Sequence, residues 1–289
     1  MNHPLSWLYV PGDRPERFAK AVASGTHVVI VDLEDAVAPD HKDRARREAL
    51  EFLADAAPAS VEVRVNHPDT PTGRDDLAAL ADTAALRAIR VPKIASASDV
   101  ALVAAALAAR TTPLCCLIES ALGVENAFAI ACAPRVTSIA LGEADLASDL
   151  GTADPAGLTW SRSRVIVAAR AAGRPAPAQS VYLDIGDLDG LLRTSRAGRA
   201  MGFRGRAAVH PRQIPVIHEA YRPTKQELAD AVSILDALAH ARERGLGVVA
   251  LSDGHMVDEA LRRRAEDVVA TAAILDGHRQ VADREIADR

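Results

Sequence analysis

The chain has 289 residues, 49% hydrophobic and 25% charged, with a formal net charge of −5. That is the make-up of a globular protein with one large core or two modest ones, not of a disordered or collagen-like chain. An acidic balance with 3% aromatic residues argues against nucleic acid, which asks for basic patches and stacking platforms, and no apolar run approaches the ~20 residues that cross a bilayer.

Eight short, apolar, non-alternating runs read as strands of a parallel sheet covered on both faces. They span residues 7–10, 27–32, 61–66, 88–93, 114–119, 138–142, 180–184 and 206–210. Between them lie stretches of helical period at 14–24, 40–53, 74–83, 97–109 and 161–172, with entry signals at Asp13, Pro39-Asp40 and Ser98-Asp99. Eight βα units in about 215 residues, roughly 27 per unit, predict an α/β fold of the compact (β/α)8 TIM-barrel type. The rival, a doubly wound open sheet, usually carries a Gly-rich phosphate turn after an early strand, and none is present. The tail differs: a long helix over 223–244, a short strand over 245–251, a turn at Ser252-Asp253-Gly254 and a helix over 258–275. It is too short for an independent core, so a catalytic barrel over 1–222 and a C-terminal helical lid or oligomerisation segment over 223–289 are expected.

Cys115, Cys116 and Cys132 show no CxxC spacing, and Cys115 and Cys116 sit in the apolar run Pro113–Ile118, which suits buried thiols for those two in a reducing compartment. The start Met1-Asn2-His3-Pro4 lacks the basic and apolar regions of a secretion signal, so a cytoplasmic location is expected.

In a barrel, chemistry sits at the C-terminal ends of the strands, and nearly every predicted end is charged or hydrogen-bonding. Glu119 and Asp145 end neighbouring runs, close enough for two carboxylates to share a hard cation such as Mg2+, which keeps waters for a chelating substrate. The competing arrangement pairs each carboxylate with its own Arg, or uses Asp145 to cap the next helix. Asp32-Leu33-Glu34-Asp35 sets three acids after a buried run, either near a cation's waters or around Arg64. Arg64 is placed to clamp a substrate carboxylate with its guanidinium fork, or to pair with those same acids. Lys93, after Val91-Pro92, is a candidate for anion binding rather than a Schiff base.

In order along the chain stand Val10-Pro11-Gly12-Asp13-Arg14-Pro15-Glu16-Arg17, Asp32-Leu33-Glu34-Asp35-Ala36-Val37, Val63-Arg64-Val65-Asn66, Val91-Pro92-Lys93, Leu117-Ile118-Glu119-Ser120, Gly142-Glu143-Ala144-Asp145-Leu146 and Val209-His210-Pro211-Arg212-Gln213-Ile214. Together they resemble the citrate lyase beta subunit-like family (citryl-, malyl- and citramalyl-CoA lyases) of the HpcH/HpaI aldolase superfamily. The resemblance implies a Mg2+-dependent TIM barrel with Glu119 and Asp145 as metal ligands and Arg64 on the ketoacid carboxylate. It places Arg14 and Lys93 at the CoA or substrate site, and the segment from His210 and Pro211 to Ile214 in the loop beside the thioester. Asp253-Gly254-His255-Met256-Val257-Asp258 resembles the family's lid, whose last acid, here Asp258, acts as an acid–base group; capping of the following helix is the alternative reading. Glu34 and Asp35 complete the catalytic candidates. The implied substrates are a CoA thioester and a 2-ketoacid, and the implied assembly is a homo-oligomer, trimer or hexamer. Gln179-Ser180-Val181-Tyr182 departs from the acidic Asp-Gly common at that place in the family. Three activities stay open: a carbon–carbon lyase, a malyl-CoA thioesterase or CoA-independent ketoacid aldolase, and the beta subunit of a citrate lyase complex.

Overall fold

Seven of the eight apolar runs form one parallel sheet. They are β1 (Ser6–Pro11), β2 (Val28–Asp32), β3 (Val61–Arg64), β4 (Ala88–Val91), β5 (Leu114–Ile118), β6 (Val136–Leu141) and β7 (Arg206–Ala208). The computed structural model describes residues 3–55, 60–81, 83, 86–107, 111–251 and 256–287. They divide into two compact units, one over 3–220 and one over the described residues of 221–287. In the first, the strand order β6-β5-β4-β3-β2-β1-β7 is the winding order of a barrel, with each strand beside its sequence neighbour and β7 returning to β1. Every position of β2 and β5 is buried, as cover on both faces requires.

The expected strand at 180–184 does not form, so the sheet is not the closed eight-stranded barrel. Among the described residues, one parallel bridge, Gln179↔Arg206, stands where it would lie. The Gln179 N–H donates to the Gly205 carbonyl at 2.9 Å and its carbonyl accepts from the Ala207 N–H at 3.0 Å. Pro175 and Pro177 upstream have no N–H for a ladder. Downstream, Leu183 is 69% exposed and Ile185 is also turned to solvent. Past the Gln179 bridge the expected run leaves the sheet, with Val181 and Tyr182 half-buried and Leu183 and Asp184 exposed.

Around the sheet lie α1 (Phe18–Val22), α2 (Lys42–Asp55), α3 (Pro71–Ala81), α4 (Ala97–Ala106), α5 (Ala121–Glu125), α6 (Ala127–Cys132), α7 (Glu143–Leu150), α8 (Thr159–Ala171), α9 (Leu188–Met201) and α10 (Gln213–Tyr221). Residues 108 and 109 of the helix expected after β4 lie outside the described residues. Local signals set several starts: Ser96 and Asp99 make a reciprocal capping box at α4, and Asp187 caps α9 through the Gly190 N–H at 2.8 Å. In the buried core of the sheet, Ala88, Cys115, Leu117 and Ala140 pack together. Beside them a buried Glu62–Arg90 pair closes to 2.6 Å. Cys115 and Cys116 are buried, whereas Cys132 is exposed.

The second unit contains α11 (Lys225–Glu243), a two-stranded antiparallel pair of β8 (Val248–Ala250) and β9 (Met256–Asp258), and α12 (Glu259–Ala287). A Thr224–Glu227 capping box starts α11. The two helices bury Ala231, Leu238 and Ala241 on one side and Ala265, Ile274 and Leu275 on the other. Ser252, Asp253, Gly254 and His255, the turn and most of the expected lid motif, lie outside the described residues. Among the described residues no helix is long and apolar enough to cross a membrane.

Candidate active site

Register builds the site. Asp32 at the end of β2 lies opposite Arg64 at the end of β3, so side chains of the two share one face. Arg64 Nε and Nη2 each donate to one Asp32 oxygen at 2.7 Å, a two-pronged pair that fixes the guanidinium plane. Its Cζ sits 5.1 Å from the Tyr9 ring centroid, so the cation is also held from the β1 side. Burial opposes its charge, but the Asp32 bonds outweigh that and keep Arg64 protonated far above any working pH. The sequence left Arg64 between the acids and a substrate; the structure shows the acid pair. A guanidinium has five N–H donors, so Nη1 and Nη2 keep donors beyond the Asp32 fork.

Glu34 continues the chain of contacts. Its Oε1 accepts from Lys93 Nζ at 2.7 Å, and Arg64 Nη1 lies 2.9 Å from Oε2. The second is an ion contact without hydrogen-bond geometry, and that buried oxygen accepts no hydrogen bond among the described residues. Burial raises the Glu34 pKa against the pull of Arg64 and Lys93. Asp35 is mostly exposed, 3.5 Å from Arg64 Nη1. Lys42 anchors the same turn by donating to the carbonyls of Leu33 at 2.8 Å and Glu34 at 2.6 Å.

Lys93 follows β4 with φ +55°, a left-handed conformation that costs a non-glycine residue about 1 kcal/mol or more. The Lys93 N–H donates to Glu119 Oε2 at 2.9 Å, while its ammonium reaches Glu34. Glu119, directly after β5, is 6% exposed. Its carboxyl is pushed up to about 7, by burial first and then by the charges of Glu34 and Asp145, with the Lys93 N–H pulling the other way. Gly142 explains how it fits: a Cβ there would stand 2.4 Å from Glu119 Oε1 and 2.5 Å from Cγ. Asp145 does not end β6 but sits in the first turn of α7, exposed.

The remaining candidates lie elsewhere. Arg14 is exposed in the β1–α1 loop and takes no part in the cluster. Its neighbour Asp13 is buried and bonded to His41 Nδ1 at 2.9 Å. His210 and Pro211 follow β7; the Arg212 N–H donates to His210 Nδ1 at 3.2 Å. Asp258 belongs to the second unit, where its carboxylate accepts the Ala260 N–H at 3.0 Å and caps α12.

Sequence reading assigned no role to Gly142, and placed Gln213 in the loop beside the thioester without giving it a role of its own. Gln213 is fully buried. Its Oε1 accepts from the N–H groups of Val209 and His210, at 2.9 and 3.3 Å, and its Nε2 donates to the Tyr182 carbonyl at 2.8 Å. A glutamine three residues after His210, reaching back to its loop, was the available signal.

Carboxylates outnumber cations at this mouth: Asp32, Glu34, Asp35, Glu119 and Asp145 face Arg64, Lys93 and Lys42. A divalent cation at Glu119 and Asp145 would relieve the repulsion that, after burial, raises Glu119. Among the described residues no three His, Cys, Asp or Glu form a ready-made cage. Mg2+ does not require one, because one or two carboxylates with waters and a chelating ligand complete its octahedron. The donor set fits such an ion.

A sequence profile of the HpcH/HpaI aldolase/citrate lyase family matches residues 5–211, and one of C–C bond lyases of the TIM-barrel fold matches 170–275. The chain is 38% identical to a (3S)-malyl-CoA thioesterase of Cereibacter sphaeroides, across 93% of this chain and 95% of that one. It is 33% identical to an L-malyl-CoA/beta-methylmalyl-CoA lyase of the same species, across 93% and 94%. Among solved structures, the CitE protein of Mycobacterium tuberculosis in complex with magnesium, acetoacetate and coenzyme A superposes with a TM-score of 0.79 at 35% identity, covering 94% of this chain and 100% of that one. The chain belongs to the HpcH/HpaI aldolase/citrate lyase family, a family of carbon–carbon lyases.

Proposed function

We propose that this protein is a Mg2+-dependent lyase that cleaves, or forms, a 3-hydroxyacyl-CoA carrying a second carboxylate, of the citramalyl-, malyl- or citryl-CoA kind. The observation that carries the reading is the buried Glu119 carboxyl, held between the Lys93 N–H and Gly142 within a ring of acids beside Arg64. Glu119 and Asp145 would hold the ion. When bound, it supplies Lewis acidity to the oxygens it chelates, lowering the pKa of the β-hydroxyl. The magnesium, acetoacetate and CoA bound by the CitE protein support this chemistry.

The Nη donors of Arg64 left over from Asp32 grip the substrate's free carboxylate and orient the bond to be broken. The hydroxyl proton is removed, the Cα–Cβ bond breaks, and its electron pair enters the thioester as an enolate. A proton returned to carbon completes the acyl-CoA, and the former carbinol carbon leaves as a 2-ketoacid. Lys93, with its ammonium paired to Glu34, contributes positive charge near the thioester. We assign the acid–base step to Asp258 on the family resemblance of its segment. Asp258→Asn tests that assignment: asparagine caps α12 as well as aspartate, so turnover falls about 10²-fold without loss of stability. Unchanged turnover removes Asp258 from the step.

The 38% identity to a malyl-CoA thioesterase favours one second reading, hydrolysis at the same site. Product analysis separates the two. With Mg2+ and each candidate thioester, a lyase releases acyl-CoA and a 2-ketoacid in equal amounts. Free CoA and hydroxyacid without ketoacid would establish the hydrolase.

A further inference from the structure

Helix α7 begins beside the proposed cation ligands, yet its N-cap residue, Gly142, has no side chain to satisfy the exposed N–H groups of the first turn. Ser180 supplies the missing group from a segment 37 residues away. Its hydroxyl accepts the Glu143 N–H at 3.1 Å and donates to the Leu141 carbonyl at 2.5 Å. One side chain thereby grips the backbone on both sides of Gly142. The Gly142 N–H is itself fixed on the Ile118 carbonyl of β5 at 2.9 Å. Gly142 in turn abuts the Glu119 carboxylate, and Asp145 lies three residues on. The neighbouring Gln179 is turned the other way: its Nε2 donates to the Thr194 carbonyl, and its amide fills the space over Gly198.

We propose that Ser180 is a positioning residue for the cation site, holding the β6–α7 corner so that Glu119 and Asp145 stand at the separation a divalent ion needs. This rests on the reading above that those two carboxylates hold the ion. The strap crosses the place where the eighth strand does not form. There, among the described residues, no backbone ladder extends from the edge of β6 away from β5, and the Ser180 hydroxyl makes the connection instead. Loss of an outer-shell bond of this kind weakens metal binding about 10-fold or more.

The test is Mn2+ titration of the full chain, free of substrate, by electron paramagnetic resonance, with thermal melts alongside. Ser180→Ala is expected to bind Mn2+ about 10-fold more weakly than the wild type, and Ser180→Thr, which keeps the hydroxyl, to restore affinity. Wild-type affinity in Ser180→Ala, even with a lowered melting temperature, would overturn the inference and leave a purely structural cap. Affinity in Ser180→Thr as weak as in the alanine variant would overturn it too. In the unsubstituted chain, Mn2+ slows hydrogen exchange of the Glu143 amide; exchange unaffected by Mn2+ counts against the strap whether or not the variants fold. A wild type that binds no Mn2+ removes the cation reading and this inference together, whereas Mn2+ binding that ignores Ser180 removes this inference alone.

Discussion

Gly142→Ala isolates the fit between one backbone position and one carboxylate. Gly142 has φ −90° and ψ 91°, which alanine adopts without strain, so the substitution acts through its methyl group. That carbon would stand 2.4 Å from Glu119 Oε1, 2.5 Å from Cγ and 2.9 Å from Cδ. Carbon contacts settle near about 3.5 Å, so the Glu119 side chain must retreat by roughly 1 Å. It has little room to do so: it is 6% exposed and its other oxygen is held by the Lys93 N–H. A displacement of about 1 Å at a reacting centre costs about 10²-fold, whereas overpacking of this size destabilises by about 1–3 kcal/mol. Mg2+-dependent kcat/KM is therefore expected to fall about 10²-fold in a protein that still melts cooperatively. Turnover within a few-fold of wild type would refute the reasoning, because Glu119 would then not need its position.

Glu119 also sets a pH dependence. Its carboxyl moves from 4.5 in the unfolded chain to about 7 in the folded one, by burial first. Folding of the cation-free chain thus takes up a proton between those values, and this group's contribution to stability falls as pH rises from 4.5 to about 7. Cation binding needs the ionised form, so Mn2+ affinity at pH 6 is expected to be about 10-fold below its plateau above pH 8; a flat profile would contradict it. Arg64→Lys keeps the charge but loses the fork on the 1% exposed Asp32, and kcat/KM should drop roughly 10- to 100-fold, read in steady-state assays. Gln213→Ala leaves the half-buried N–H groups of Val209 and His210 without their acceptor. It should cost about 2 kcal/mol in denaturant unfolding and speed amide exchange at both residues.

Much of this was legible in the residues. A strand buried on both faces must be apolar throughout and then end on something polar, so Val28–Val31 followed by Asp32, and Leu114–Ile118 followed by Glu119, announced both the strand and the polar tip that makes it a candidate for the site. The parallel register then set Asp32 beside Arg64 as adjacent strand ends must. The segment at 180–184 misled because Val181, Tyr182 and Leu183 have strand-forming side chains, and composition does not reveal that prolines upstream and an exposed turn downstream prevent pairing. Asp145 carries the same lesson at smaller scale: Gly142 opens a helix, so the acid lies one turn beyond the strand end. The Glu62–Arg90 pair was missed because a charged residue inside an apolar run gives no sign of its partner on the next strand, whereas here both side chains are buried and neutralise each other. Contacts that depend on a missing Cβ, such as Gly142 against Glu119, require three-dimensional proximity that spacing alone does not supply.

The most direct test of the central assignment is the anomalous difference map of crystals of this chain soaked in Mn2+. The account predicts a peak coordinated by Glu119 and Asp145 that disappears in Glu119→Ala, together with metal-dependent turnover. A peak bound by other residues, or a Glu119→Ala protein that keeps both the peak and its activity, would contradict it.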